Sequence, residues 1–137
     1  MTESCIFCAI ARREAPARIV HEDERTLAFM DLFPLTRGHA LVIPKVHYDN
    51  LLEATPDDVA AVARTAQRVA QAAMQAYAPD GLNLLQTNGA VAMQTVFHLH
   101  VHVLPRYVDD GFKVSFSRSM GEDEALDDAA AALRAAL

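Results

Sequence analysis

Phe97-His98-Leu99-His100-Val101-His102-Val103-Leu104-Pro105-Arg106 sets three histidines at alternate positions among apolar residues. The period of two predicts a β-strand. On a strand, Phe97, Leu99, Val101 and Val103 would enter a core, and His98, His100 and His102 would share the opposite face, roughly 6.5–7 Å apart. Half of the chain's six histidines therefore fall within five positions. Three imidazoles on one sheet face add little stability. They suit nucleophilic, acid/base or metal-binding work near neutral pH.

Upstream of it, Leu82–Thr87 reads as the preceding strand and Asn88-Gly89-Ala90-Val91-Ala92-Met93 as a loop. Further upstream, Thr55 is a candidate N-cap, Pro56 suits the first helical position, and Asp57 and Asp58 favour the positive end of the helix dipole. Val59, Val62, Ala66, Val69, Ala70, Ala73, Met74 and Tyr77 recur at helical spacing, so a long helix is predicted to stop near Ala78, before Pro79. Ile19–His21, Thr26–Met30 and His39–Pro44 read as strands, and Asp31–Gly38 as a loop punctuated by proline and glycine. Ile6–Ala11 suits a short N-terminal helical turn, and Asp123–Ala136 an amphipathic helix. Hairpins around helices predict an α+β fold with a mainly antiparallel sheet.

At 137 residues one domain is expected, spanning 1–137. Apolar residues make up 52%, yet no run reaches the roughly 18–20 that cross a bilayer. The opening Met1-Thr2-Glu3-Ser4-Cys5 lacks the basic and apolar regions of a signal peptide, so a cytoplasmic protein with no membrane partner is expected. A net charge of −6 argues against a nucleic-acid surface, though not against a small phosphate ligand. Cys5 and Cys8 are the only cysteines, and their Cys-x-x-Cys spacing suits half of a tetrahedral zinc site.

Four stretches, in order, resemble the histidine triad (HIT) superfamily: Cys5-Ile6-Phe7-Cys8-Ala9-Ile10, Gly38-His39-Ala40-Leu41-Val42-Ile43-Pro44-Lys45-Val46-His47, Asn88-Gly89, and Gln94-Thr95-Val96 leading into the histidine stretch through Arg106. The resemblance runs from Cys5 to about Phe112, leaving 113–137 as a C-terminal extension with a helix. It implies a five-stranded sheet with a long central helix, and a homodimer joined through that helix and a sheet edge. It also implies nucleotidyl transfer to a histidine followed by hydrolysis. His100 would attack the α-phosphorus of a purine nucleoside phosphoramidate, and His102 and Gln94 would serve the phosphate or the bridging atom. Thr95 and the loop amides would meet the nonbridging oxygens, Asn88 the α-phosphate, and Asp31 with Leu32 the ribose. Dinucleoside polyphosphate hydrolysis, or purine-nucleotide binding with little activity, are the alternatives.

The resemblance further implies that Cys5, Cys8, His47 and His98 hold a structural zinc, which separates His98 from the chemistry. His39 reads as a structural histidine. Ile6, Phe7, Phe29, Leu32 and Ile43 suit a base, though most of them read as plain core. One departure stands out: Met93 occupies a position where the family commonly has glycine, so the loop amide there is expected to be placed differently.

Overall fold

The computed structural model describes residues 4–137. Residues 1–3, part of the stretch read above for a leader, lie outside the described residues. The fold is α+β. Five strands form one antiparallel sheet in the spatial order β1 (Ile19–Glu22), β2 (Thr26–Met30), β3 (Ala40–Pro44), β5 (Val101–Arg106) and β4 (Gly81–Leu85). Helix α1 (Ile6–Ala11) precedes the sheet, α2 (Pro56–Tyr77) joins β3 to β4, and α3 (Asp123–Ala136) follows β5.

The two sheet faces have different fates. Ala28, Ala40, Val42 and Val103 pack against Val62 and Ala66 of α2. The residues between them, Leu27, Phe29, Leu41 and Ile43, pack against Phe7, Cys8 and Ile10 of α1. Both faces of β2 and β3 are therefore covered, which is why these strands read as continuous apolar runs. A 22-residue helix blankets one face, whereas α1 has only 6 residues and leaves room for a cavity.

Helix α2 begins as its sequence signals. The Thr55 side chain accepts from the Asp58 amide at 3.3 Å, and the helix ends at Ala78, whose φ of 47° is left-handed. The Asp58 carboxylate then accepts from the Tyr48 hydroxyl at 2.6 Å and from Arg25 at 2.9 Å, tying the helix start to the β1–β2 turn. At the other end of α2, Gly38 has φ +87°, and a Cβ there would lie 2.4 Å from Tyr77 Cε2. Gly38→Ala must therefore adopt a left-handed backbone and displace a ring. It is expected to cost about 2–3 kcal/mol. An unchanged urea midpoint would show that the loop and Tyr77 yield freely.

The histidine stretch corrects the alternation expected from sequence. β5 starts only at Val101, so Phe97, His98, Leu99 and His100 precede the strand, and Phe97 is 46% exposed rather than core. The reason lies in the neighbours. The ladder between β3 and β5 begins at the pair Val42–Val101, and the Leu99 amide donates instead to Tyr48 O at 2.7 Å. From Val101 onward the alternation holds, with Val101 and Val103 toward α2 and His102 toward the α1 side. β4 also ends early, at Leu85, where its last ladder pair with His102 lies, and beyond it Gln86 and Asn88 pair through their side-chain amides at 2.7 and 2.8 Å. The loop after them contains a single 3₁₀ turn, Ala90–Ala92. Helix α3 has no buried residue. Among the described residues no helix is long and apolar enough to cross a membrane.

Candidate active site and metal centre

Between α1, the end of β2, the Asp31–Gly38 loop and the start of β5 lies a cavity of about 460 Å³. Ile6, Phe7, Ile10, Phe29, Leu32 and Leu41 supply much of its apolar wall. Asp31, His39, Thr95, His100 and His102 bring the polar groups. An apolar recess with a few convergent polar groups is the usual form of a small-molecule site, and this one lies within the usual volume range of such sites. Ile6, Phe7, Phe29 and Leu32 thus line the cavity, while Ile43 is fully buried core.

Hydrogen bonds fix which nitrogen of each imidazole carries the proton. His100 Nδ1 lies 2.6 Å from the His98 carbonyl. A carbonyl only accepts, so the proton is on Nδ1 and the Nε2 lone pair is left free. The Leu35 amide donates to His39 Nδ1 at 3.1 Å, which puts the His39 proton on Nε2. That Nε2–H faces His102 Nδ1 at 2.9 Å, with an Asp31 oxygen 3.4 Å away. His102 Nδ1 is then the acceptor, and its own proton sits on Nε2. A free lone pair on His100 and an N–H donor on His102 stand side by side, the ring centroids 4.9 Å apart. Burial, aided by His100 and His39, holds His102 at about 4. Burial also lowers His100 and His39. All three imidazoles are therefore neutral at pH 7, the form a histidine nucleophile needs.

The other residues singled out from sequence fall into distinct places. Asp31 lines the cavity and accepts from the Phe33 amide at 2.8 Å, which leaves its second oxygen toward His39. Leu32 is 65% exposed at the mouth. Gln94 is buried, and its amide is committed to the backbone: it donates to Asp49 O at 2.6 Å and Val96 O at 3.0 Å and accepts from the Gly89 amide at 2.8 Å. Its side chain organises the loop that carries Thr95. Asn88 accepts from the Leu51 amide at 2.8 Å and joins this loop to the one after β3.

Met93 adopts φ 74°, ψ 19°, the left-handed conformation that glycine takes without penalty. The loop keeps a glycine-like path despite the side chain, which points to solvent at 73% exposure. The strain is about 1–2 kcal/mol, against about 0.5–1 kcal/mol for the greater flexibility of unfolded glycine. Met93→Gly is accordingly expected to raise stability by roughly 0.5–1 kcal/mol, read from urea unfolding. A loss of stability would mean that the thioether packs on the loop.

A second cluster lies on the far side of α1. Cys5, Cys8, His47 and His98 each offer one ligand atom, all within 4.8 Å of one another. His98 is fully buried; its Nε2 donates to Pro44 O at 2.8 Å, and its Nδ1 lies 3.5 Å from both sulfurs. His47 Nε2 donates to Asp49 at 2.9 Å, and its Nδ1 lies 3.2 Å from Cys8 Sγ. Both imidazoles thus turn a lone pair inward and hold an oxygen with the opposite N–H, the arrangement of metal-binding histidines. Burial and the adjacent Cys5 raise the Cys8 thiol, so a cation is what would hold that sulfur as a thiolate. Two sulfurs and two nitrogens fit a closed tetrahedral zinc site.

Asp31, His39 and His102 also lie within 4.8 Å of one another. There the Leu35 amide already occupies His39 Nδ1 and leaves the proton on Nε2. That group is a hydrogen-bonded chain rather than a ligand set. Sequence reasoning assigned His39 a structural part but did not connect it to His102. It also missed Ile10, Met30, Phe33, Leu35, Leu41 and Val96 in the cavity wall. The apolar residues of the Asp31–Gly38 loop were the available signal, since a loop that carries Leu32, Phe33 and Leu35 has something apolar to cover.

A HIT domain family model matches residues 12–109. The crystal structure of a HIT family protein from Bacillus subtilis is 38% identical, covers 98% of each chain and superposes with a TM-score of 0.94. A zinc-bound histidine triad family protein from Mycobacterium smegmatis is 44% identical over 98% of each chain, with a TM-score of 0.75. The adenylylsulfatase HINT3 of Arabidopsis thaliana is 42% identical over 106 residues, which are 77% of this chain and 54% of that protein.

Proposed function

The chain belongs to the HIT family, and on that premise we propose that it hydrolyses purine nucleoside phosphoramidates through a nucleotidyl-histidine intermediate. The observation that carries this reading is the pairing of a free His100 Nε2 with the His102 N–H at the inner end of the apolar cavity. The base fills the apolar recess and Asp31 takes the ribose hydroxyls. His100 Nε2 forms a bond to the α-phosphorus as the bond to the leaving amine breaks, and solvent supplies the proton that the amine requires. His102 Nε2–H, oriented by His39, donates to a phosphate oxygen as charge builds there. Water then attacks the phosphorus, which frees His100 and a nucleoside monophosphate. One difficult displacement becomes two easier ones. Gln94 and Asn88 act by shaping the loop, and Thr95 meets the phosphate.

Cys5, Cys8, His47 and His98 would hold zinc, whose contribution is structural: it pins α1 to the segment that carries His100. The solvent-facing edge of β4, where Leu84 is 52% exposed, together with α2 is read as a homodimer contact. The relation to an adenylylsulfatase favours a second reading, in which the leaving group is an oxyanion joined to the same α-phosphorus.

The test is AMP release from adenosine 5′-phosphoramidate, adenylylsulfate and diadenosine tetraphosphate. Fastest turnover of the phosphoramidate is expected. Fastest turnover of adenylylsulfate would transfer the assignment to the second reading. Binding of AMP without turnover of any of the three would leave a nucleotide-binding protein.

A further inference from the structure

We infer that Phe33 is the outer wall of the base subsite and that its ring gives the site a preference for purine over pyrimidine nucleotides. This rests on the nucleotide reading above and adds to it the residue that selects the base.

Three phenylalanines line the cavity, and only one of them is exposed. Phe7 and Phe29 are 7% and 3% exposed and pack edge to face, with centroids 5.3 Å apart. Phe7 also meets the His100 ring edge-on at 5.2 Å. Phe33 is 86% exposed and, among the described residues, makes no ring contact. An aromatic ring held in water at the lip of an apolar recess forfeits the burial that such a side chain normally gains.

The backbone that carries the ring is nevertheless anchored. The Phe33 amide donates to Asp31 Oδ1 at 2.8 Å, so the residue proposed to take the ribose also fixes the backbone that carries the ring. The apolar side chains of α1, Ile6, Phe7 and Ile10, supply the rest of the recess. A base lying on them would meet the Phe33 ring at the mouth. Stacking grows with the area of overlap, so a bicyclic purine gains more from this wall than a single pyrimidine ring.

The experiment is calorimetric titration of AMP and CMP into the wild type, Phe33→Ala and Phe33→Trp. Phe33 is exposed, so neither substitution is expected to move the urea midpoint, which serves as the check on folding. The wild type should favour AMP. Phe33→Ala should weaken AMP about tenfold and CMP distinctly less, and Phe33→Trp should restore the preference. Equal AMP affinity in wild type and Phe33→Ala, or an equal loss for both nucleotides, would overturn the role of Phe33 while leaving the nucleotide reading in place. A wild type that binds neither nucleotide would overturn both.

Discussion

His100→Ala is expected to lower kcat for phosphoramidate hydrolysis by about four orders of magnitude, with AMP affinity within about threefold of wild type. The asymmetry follows from the geometry. His100 meets the cavity at its inner end, whereas the proposed base and ribose contacts belong to α1, Asp31 and the loop after it. Removing the imidazole deletes the only group that forms the covalent bond, and water cannot replace it at the same site. His102→Ala removes one hydrogen-bond donor to developing charge, a loss of about 10²–10³-fold. The two variants also differ in a second readout. Rapid quenching of wild type and His102→Ala with radiolabelled substrate should trap nucleotide on the protein, and His100→Ala should trap none. Label on His100→Ala equal to wild type, or equal turnover, would sink the assignment.

The parts of this molecule that a reader of the sequence can see are those fixed by near neighbours. Helix α2 announces itself because Thr55, Pro56, Asp57 and the residue pattern that follows all act within a few turns. β2 and β3 are legible as apolar runs, although the two different surfaces that cover their faces are not. The start of β5 misleads because its alternation is continuous in sequence while its hydrogen bonding is not. Leu99 is claimed by Tyr48, some fifty residues upstream. The separation of His98 from His100 and His102 rests on contacts as long: Cys5 and His98 are 93 positions apart. Spacing alone makes three equivalent histidines, and only the resemblance to a family divided them. The relay from the Leu35 amide through His39 to His102 has no sequence signature, because it is a matter of which nitrogen faces which atom. The left-handed conformation at Met93 shows the converse, a backbone demand that persists where the residue type disguises it.

Zinc removal is expected to carry the largest effect on stability, and the fold explains why it should reach the nucleotide site as well. α1 is 6 residues long, far short of what holds a helix in water by itself. One side of it supplies Cys5 and Cys8 to the cluster, and the rest supplies Ile6, Phe7 and Ile10 to the cavity. Zinc at about a thousandfold its dissociation constant stabilises the fold by about 4 kcal/mol. At roughly 3–4 °C per kcal/mol for a chain of 137 residues, chelation should lower Tm by about 12–16 °C. Cys8→Ser should begin near the lower value and respond little to chelator. In both cases AMP binding should weaken, because the floor of the cavity loses its anchor, and added zinc should restore it only in the wild type. A melting temperature indifferent to chelator in wild type and variant alike would sink the metal centre. A large drop in Tm with AMP affinity unchanged would instead separate the metal from the cavity, leaving α1 held by the packing of Phe7 and Ile10 on β2 and β3.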